Sequence, residues 1–278
     1  MGYAQPACRP GTHIFLVLTA VLLQILSNLS NELGDHLSGV DGEDREGPNY
    51  GMSNGLTVKQ MWRAINTIVV LCAFCGLTML LLSFQIFSFY FIVFTLLGAA
   101  AIWAATHYTL GKKPYGYIGL GDLFVFIFFG LVSVLGSHYV IAHTFFTPDT
   151  GLICTLTPAV GLGLLSVAVL NVNNIRDMAS DEGIRKTIPL RIGKHGAKIY
   201  QTVLVVAGVT CFAWNPQDFW MCVLPTMPFF LWHLIGMWRR DGKRLDPMLP
   251  LLVITTFVLA LLYGEVFNIT YTCPYPIW

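Results

Sequence analysis

The chain has 278 residues, of which 55% are hydrophobic and 11% are charged, and its formal net charge is +1. Average soluble domains carry about 25% charged residues, so this composition excludes an ordinary water-soluble domain and predicts an all-α protein that spans a membrane. Because Lys and Arg are unevenly distributed, the small net charge says little about partners. We expect a surrounding lipid bilayer and no nucleic-acid partner.

Eight apolar runs follow one another along the chain. A transmembrane helix needs about 20 mostly apolar residues. The runs predict a bundle of eight membrane-spanning helices at 13–33, 61–83, 87–108, 120–142, 152–174, 199–214, 218–238 and 248–268. The connections 34–60 and 175–198 are longer and polar, and they predict loops or short interfacial helices. Residues 1–278 are therefore predicted to form a single membrane domain.

Basic residues mark one side of this bundle. If the chain crosses at every run, the connections on that side carry most of the Lys and Arg residues: 34–60, 109–119, 175–198 and 239–247. The connections on the opposite side contain no Lys or Arg: 84–86, 143–151 and 215–217. Positively charged connections remain in the cytoplasm, so the first set is predicted to be cytoplasmic.

Two acidic clusters lie at the ends of apolar runs on the predicted cytoplasmic side. Their members are Asn31, Asp35 and Asp41 in the first cluster and Asn173, Asp177 and Asp181 in the second. Carboxylates beside long apolar runs are costly unless they bind something, usually a cation. Residues four apart on a helix share one face, so Asp177 and Asp181 are predicted to project together. Asn31 and Asp35 repeat this spacing.

The composition of these clusters predicts a metal–diphosphate site. Two clusters that face a shared cavity would supply hard oxygen ligands to a Mg²⁺ ion that also binds phosphate oxygens. Basic residues that could bind the anion accompany both clusters: Arg45, Lys59, Arg176, Arg185, Lys186 and Arg191. For Lys194, Lys198 and the group Arg239–Arg244, we favour solvated loop charges.

At these residues the chain resembles the UbiA superfamily of intramembrane aromatic prenyltransferases. The matching motifs are Asn31-x₃-Asp35-x₅-Asp41 and Asn173-Asn174-x-Arg176-Asp177-x₃-Asp181, followed by Lys186-Thr187 and Leu190-Arg191-Ile192-Gly193. The segment 114–126 is similar to that of the branch acting on 1,4-dihydroxy-2-naphthoate in menaquinone biosynthesis. The likeness extends from about residue 15 to the C-terminus and implies a UbiA-like helical bundle with a central cavity.

The resemblance implies the mechanism and the residues that perform it. Mg²⁺ held by the catalytic carboxylates Asp35, Asp41, Asp177 and Asp181 would bind the diphosphate of a polyprenyl donor. The implied substrate contacts are Asn31, Lys112, Tyr115, Tyr117, Asn173, Asn174, Arg176, Lys186 and Arg191. Departure of diphosphate would leave an allylic cation, which the naphthoate ring attacks with loss of CO₂ to give demethylmenaquinol. The resemblance also places the protein in a bacterial plasma or inner membrane, with a cytoplasmic active site.

Two features differ from the family pattern, and several alternatives remain open. The residue after Asn31 is usually Asp and is Glu32 here, and the family usually has nine helices, with Arg-Pro before the first. Here Arg9-Pro10 precedes what resembles the second family helix.

The alternative functions are prenylation of another acceptor, such as 4-hydroxybenzoate or homogentisate, an inactive scaffold, and a transporter of an anion or a divalent cation. The segment 114–126 and the concentration of polar residues at one interface favour naphthoate prenylation.

Overall fold

The computed structural model describes residues 10–39, 55–145, 153–213 and 219–270. The α-helices within these ranges are α1 (Pro10–Ser38), α2 (Val58–Ser83), α3 (Phe89–His107), α4 (Gly121–Val125), α5 (Ser133–Ala142), α6 (Ile153–Arg176), α7 (Met178–Asp181), α8 (Ile188–Thr210), α9 (Leu224–Arg239) and α10 (Met248–Thr270). π-Helical turns precede α5 at Phe126–Val132 and α9 at Phe219–Val223. Short 3₁₀ turns occur at Tyr115–Ile118 and Gly242–Leu245.

Seven helical segments are long and apolar enough to cross a membrane, which confirms the predicted polytopic helical fold. They are Gly11–Ser38, Val58–Ser83, Phe89–His107, Gly121–Ala142, Thr155–Arg176, Phe219–Arg239 and Gly242–Gly264. The predicted run 199–214 belongs instead to α8, which begins eleven residues earlier, at Ile188. Polar residues in the first half of α8 lower its hydropathy, and Gly193 (φ 73°) interrupts its helical geometry.

The described residues form two compact units. The first contains 10–39, 55–116 and 136–145. In this unit α1 packs against α2 and α3. The buried side chains at these contacts are Leu26, Leu33, Met61, Ile65, Cys72 and Leu110. Thr57 begins α2 with a capping box, in which its hydroxyl accepts a hydrogen bond from the Gln60 amide at 3.3 Å.

The second unit contains residues 117–135, 153–213 and 219–270, and α6 lies at its centre. This helix packs against α8, α10 and the π-helical turn 126–132. The hydrophobic core of this unit includes Leu165, Ala168, Leu204, Phe212, Met237, Leu252 and Leu259, each less than 5% exposed. Small residues let the backbones approach closely, because a Cβ on Gly130 would lie 2.6 Å from the Cα of Gly163.

Helix α8 runs antiparallel to α6. Near one end of the contact, Asn171 Nδ2 donates a hydrogen bond to Gln201 Oε1 at 2.8 Å. Near the other end, a Cβ on Gly208 would lie 3.2 Å from the Gly161 carbonyl oxygen. The rise of an α-helix is 1.5 Å per residue, so the contact extends for about 15 Å along α6.

A chain of buried hydrogen bonds extends from this contact to α9 and α10. Gln201 Nε2 donates to His233 Nε2 at 3.0 Å, and His233 Nδ1 donates to the Met248 carbonyl oxygen at 2.9 Å. The carbonyl can only accept, so the proton of the neutral imidazole is assigned to Nδ1. Asn171, Gln201 and His233 are each at most 1% exposed. Four helices are therefore joined by hydrogen bonds inside the unit.

Three comparisons can be made with the sequence predictions. Helix α1 extends beyond the predicted end of the first run at residue 33, through residue 38, and ends before Gly39, whose φ of +75° suits a helix C-terminus. The connection 175–198 was predicted to form loops or short interfacial helices; most of it is helical, and 182–187 are irregular between α7 and α8. The prediction that Lys198 is solvated is wrong, because this side chain is 7% exposed and packs beside the end of α9.

Candidate active site

The second acidic cluster continues the helical hydrogen bonding of α6 beyond its last residue. The Asp177 amide donates to the Asn173 carbonyl at 2.9 Å, and the Asp181 amide donates to the Asp177 carbonyl at 2.9 Å. These three residues therefore follow one another at intervals of one turn, as their spacing predicted. Asp181 is 1% exposed and the Asp177 side chain is 17% exposed, so both carboxylates lie largely away from water.

Each carboxylate of this cluster lies beside an arginine. Arg176 forms a two-pronged contact with Asp177, in which Nε and Nη2 donate to the two carboxylate oxygens at 2.8 Å. Arg185 Nε lies 3.3 Å from Asp181 Oδ1. Each carboxylate oxygen has two lone-pair directions, so these contacts leave acceptor capacity on Asp177 for a metal ion or another donor.

Two buried polar oxygens in the segments that flank the carboxylates have no hydrogen-bond partner among the described residues. They are Asn173 Oδ1, one turn before Asp177, and Thr187 Oγ1, at the start of α8. A buried oxygen without a partner is unfavourable in the protein alone and is well suited to a ligand or an ion. Asn174, the neighbour of Asn173, is itself 5% exposed.

Hydrogen bonds to backbone carbonyl groups link the segment Tyr117–Gly119 to the segment Lys186–Arg191. We call these two segments the carbonyl clamp. The Lys186 amide donates to the Tyr117 carbonyl at 3.0 Å. Arg191 donates from Nη2 to the Ile118 carbonyl at 2.9 Å and from Nε to the Lys186 carbonyl at 3.2 Å. Arg191 therefore joins the two segments, and its role as a substrate contact stays a prediction.

Tyr117 and Arg185 connect the carbonyl clamp to the acidic cluster. The guanidinium carbon of Arg185 lies 4.7 Å from the centroid of the Tyr117 ring, within the range of a cation–π contact. The same guanidinium contacts Asp181. Tyr117, Arg185 and Asp181 thus form one continuous group, whereas the Lys186 side chain is exposed beside it.

The first acidic cluster lies on the last turns of α1, in the other compact unit. Glu32 is 8% exposed and Asp35 is 7% exposed. Thr109 Oγ1 donates to the Ser30 carbonyl at 2.8 Å and lies 3.3 Å from Asn31 Oδ1. The connection after α3 therefore crosses α1 beside this cluster. Asp41 lies outside the described residues.

Two predicted substrate contacts belong to the connection after α3. Lys112 is exposed three residues beyond Thr109. Tyr115 is 9% exposed, and its hydroxyl donates to the Ala104 carbonyl at 2.6 Å. Burial raises the pKa of Tyr115 above its ordinary value. Because the Tyr115 hydroxyl binds the backbone, a substrate contact through this residue would involve the ring.

The sequence reasoning missed another carboxylate, Asp122, in the same unit as Asp177 and Asp181. Asp122 accepts a hydrogen bond from the Tyr200 hydroxyl, with 2.9 Å between Oδ2 and the phenol oxygen. Both side chains are partly buried. Asp122 was part of the family-like segment 114–126, but its partner is 78 residues away in sequence, so no local spacing indicated the pair.

The long apolar helices define an integral membrane protein of the polytopic helical class. Residues 1–260 match the model of the UbiA prenyltransferase family, and the chain belongs to this family. The match covers both compact units. No solved structure matches the chain.

Several relatives share the name 1,4-dihydroxy-2-naphthoate octaprenyltransferase. The Escherichia coli protein is 42% identical over 206 residues, which are 73% of this chain and 65% of that protein. The Haemophilus influenzae protein is 35% identical over 90% of this chain and 84% of its own length. The Mycobacterium tuberculosis protein is 36% identical over 85% of this chain and 78% of its own length. The chain thus spans just under two thirds of the Escherichia coli protein.

Proposed function

We propose that the protein transfers a polyprenyl group from polyprenyl diphosphate to 1,4-dihydroxy-2-naphthoate, releasing diphosphate and CO₂ and giving demethylmenaquinol. Family membership and the shared name of the relatives support this reaction. The observation within the molecule that carries the proposal is the row of Asn173, Asp177 and Asp181 at one-turn intervals, flanked by Arg176 and Arg185. Carboxylates with adjacent arginines suit a metal-bound diphosphate.

The residues of the second cluster fit Mg²⁺, which prefers oxygen ligands and binds substrate phosphates through one or two carboxylates. The donors there are the carboxylates of Asp177 and Asp181 and the buried amide oxygen of Asn173. Among the described residues, no three His, Cys, Asp or Glu side chains cluster closely enough to hold a metal alone. Phosphate oxygens would therefore complete the coordination. Bound Mg²⁺ would offset the charge of the diphosphate. We propose that Asp35 and Asp41 also contribute to metal binding.

The basic side chains beside the cluster orient its carboxylates and neutralise negative charge. Arg176 holds both oxygens of Asp177, which fixes the direction of that carboxylate. Lys186 is exposed beside the cluster, where its ammonium group can move to the diphosphate as the bond to the prenyl carbon breaks. The ring of the acceptor then supplies the electrons for the new carbon–carbon bond, and CO₂ leaves the acceptor.

We also propose that the protein lies in a bacterial plasma or inner membrane with this site on the cytoplasmic side. The support is the distribution of basic residues in the connections. A polyprenyl donor is largely apolar, so its tail would lie along the lipid-facing helices.

The test is turnover by the purified protein in detergent. The protein is incubated with 1,4-dihydroxy-2-naphthoate, a polyprenyl diphosphate and Mg²⁺, with or without EDTA, and the prenylated product is followed by mass spectrometry. We expect EDTA to abolish product formation, and we expect Asp177→Asn and Asp181→Asn to lower kcat roughly 100-fold or more, because each removes a charge that holds the metal.

Asp241→Asn is the matched control, because Asp241 lies at the end of α9 and contacts Lys194 and Lys198. It should retain the activity of the unsubstituted protein. Full activity in both Asp177→Asn and Asp181→Asn would contradict the metal-site assignment. A parallel reaction with 4-hydroxybenzoate distinguishes the acceptors, and product from that acceptor alone would overturn the naphthoate assignment.

A further inference from the structure

A carboxylate–phenol pair at the start of a membrane-spanning helix is not used by the diphosphate chemistry. Asp122 is the second residue of the span Gly121–Ala142 and accepts the hydrogen bond of Tyr200 through Oδ2. No ion pair joins Asp122 to any described residue. A carboxylate at such a position is costly, and carboxylates that persist there are commonly functional.

Tyr200 lies deeper along the helices than the second acidic cluster. Tyr200 precedes Gln201, which accepts a hydrogen bond from Asn171 on α6. Asn171 is six residues before Asp177, which corresponds to about 9 Å along a helix. The backbone of Tyr200 is therefore about one to two helical turns further along α6 from its C-terminal end than Asp177 is.

The carbonyl clamp couples the pair to the acidic cluster. Gly119, the last residue of one clamp segment, precedes Asp122 by only three residues, and a Cβ on Gly119 would lie 2.5 Å from the Lys186 carbonyl oxygen. The start of α4 is thus held against the segment that carries Arg185 and Lys186. A substrate whose leaving group lies at Asp177 and Asp181 would place its reacting carbon close to this part of the unit.

We propose that Asp122 binds a hydroxyl group of the aromatic acceptor and that Tyr200 positions Asp122 for this contact. This inference rests on the proposed function, because it concerns the acceptor of that reaction. Tyr200 occupies one lone pair of Oδ2, which leaves Oδ1 to accept the hydrogen bond of a phenolic hydroxyl. A hydroxyl that donates to a carboxylate gives more electron density to its ring, so the ring becomes a better nucleophile.

The reaction balances without a covalent step at Asp122. The bond between the prenyl carbon and the diphosphate oxygen breaks, and both electrons leave with diphosphate. A ring carbon of the acceptor forms the new carbon–carbon bond to the prenyl group. The carboxylate substituent leaves as CO₂, and its bonding electrons restore the aromatic ring. The hydroxyl proton stays on the product and is only shared with Asp122 during the step.

The experiment compares the variants Asp122→Asn, Asp122→Glu and Tyr200→Phe with the control Asp241→Asn. The KM values for acceptor and donor are measured separately, and binding of 1,4-dihydroxy-2-naphthoate without donor is measured by titration calorimetry. We expect Asp122→Asn to raise the acceptor KM and Kd about tenfold or more, the usual effect of losing a hydrogen bond to a charged group. We expect Asp122→Glu to retain part of this affinity and the donor KM to stay within about twofold.

The variant Tyr200→Phe tests whether the Tyr200 hydroxyl positions the Asp122 carboxylate. It should raise the acceptor KM less than Asp122→Asn does, by about two- to fivefold, because Asp122 keeps its charge and loses only its orientation. A loss confined to thermal stability, with both KM values unchanged, would show that the Tyr200 hydroxyl is structural and would overturn its positioning role.

The 1,4-dimethoxy analogue of the acceptor keeps the inference testable even if the Asp122 variants do not fold. This analogue cannot donate a hydrogen bond, so the unsubstituted protein should bind it about tenfold more weakly than the dihydroxy compound, and Asp122→Asn should lose this preference. Equal binding of the two compounds by the unsubstituted protein would overturn the inference. Turnover with an unchanged acceptor KM in folded Asp122→Asn would also overturn the role of Asp122, and the proposed function would stand. Absence of turnover in the unsubstituted protein would instead count against the proposed function alone.

Discussion

Lys198 shows how a single residue of this protein holds a charge away from water. Its ammonium nitrogen lies 3.0 Å from the Arg240 carbonyl and 2.8 Å from Asp241 Oδ1, where the carbonyl groups at the end of α9 also concentrate negative charge. The hydrogen bond from Lys198, with that from Lys194, lowers the pKa of Asp241 below its ordinary value. Such a pair could not be predicted from sequence, because Lys198 and Asp241 are 43 residues apart.

The Lys198–Asp241 contact predicts a pH-dependent contribution to stability. A carboxyl with a lowered pKa in the folded state stabilises the fold fully above its unfolded pKa of about 3.9 and loses that contribution as the pH falls through the folded value. Asp241→Asn should therefore lower the free energy of unfolding between pH 5 and 8, and with it the melting temperature. The loss should be less than about 1 kcal/mol because Asp241 is half exposed. The difference from the unsubstituted protein should shrink below about pH 4. Thermal unfolding in detergent at several pH values measures it, and a constant difference down to pH 2 would contradict the ionic origin.

At the scale of elements, the sequence predicted the helices better than it predicted the contacts between them. The apolar run 87–108 gave α3 (Phe89–His107) closely, since a long apolar run has few alternatives in a bilayer. The row from Asn173 to Asp181 was also predictable, because four-residue spacing fixes a shared helix face. The carbonyl clamp was not predictable. Its hydrogen bonds all end on backbone carbonyl groups, which carry no side-chain signature in the sequence, and the Arg191 side chain reaches a carbonyl 73 residues away.

The carbonyl clamp makes a specific prediction about glycine. Gly119 and Gly183 have similar positive φ values of 87° and 81°, but only Gly119 has a close neighbour, the Lys186 carbonyl. Gly183→Ala should cost about 1 kcal/mol for backbone strain. Gly119→Ala should cost about 2–4 kcal/mol, because overpacking adds to the strain. Melting temperatures of the two variants in detergent provide the comparison, and equal losses would show that the clamp does not hold the segment closely.

At the scale of the whole molecule, α8 is the long described helix that is not apolar enough over its whole length to be identified as membrane-spanning, although the run 199–214 predicted a span in its second half. Its hydropathy is low because its first half carries Arg191, Lys194 and Lys198. However, α8 lies antiparallel along α6, which is apolar enough to cross. Its polar groups bind partners on other helices, so the cost of placing them in a membrane is reduced. A hydropathy value scores each residue separately, so it does not account for hydrogen bonds and ion pairs with residues on other helices.

We therefore expect α8 to cross the membrane. Single cysteines are introduced at Glu182, Thr210 and Lys243, which are exposed, in a variant whose seven native cysteines are replaced by Ala. A membrane-impermeant maleimide applied to sealed vesicles of either orientation should label Glu182→Cys and Lys243→Cys from one side and Thr210→Cys from the other. Labelling of Glu182→Cys and Thr210→Cys from the same side would show that α8 does not cross.

The buried hydrogen bonds of Gln201 have a consequence for how the chain enters the membrane during synthesis. Gln201 bonds to Asn171 on α6, which is made earlier, and to His233 on α9, which is made later. When α8 leaves the ribosome, only the first of these partners exists, so α8 alone is a poor candidate for independent insertion. We therefore expect stable insertion of α8 to depend on α9, so that translation has to proceed at least 32 residues beyond Gln201, to His233, before all the hydrogen bonds of α8 can form.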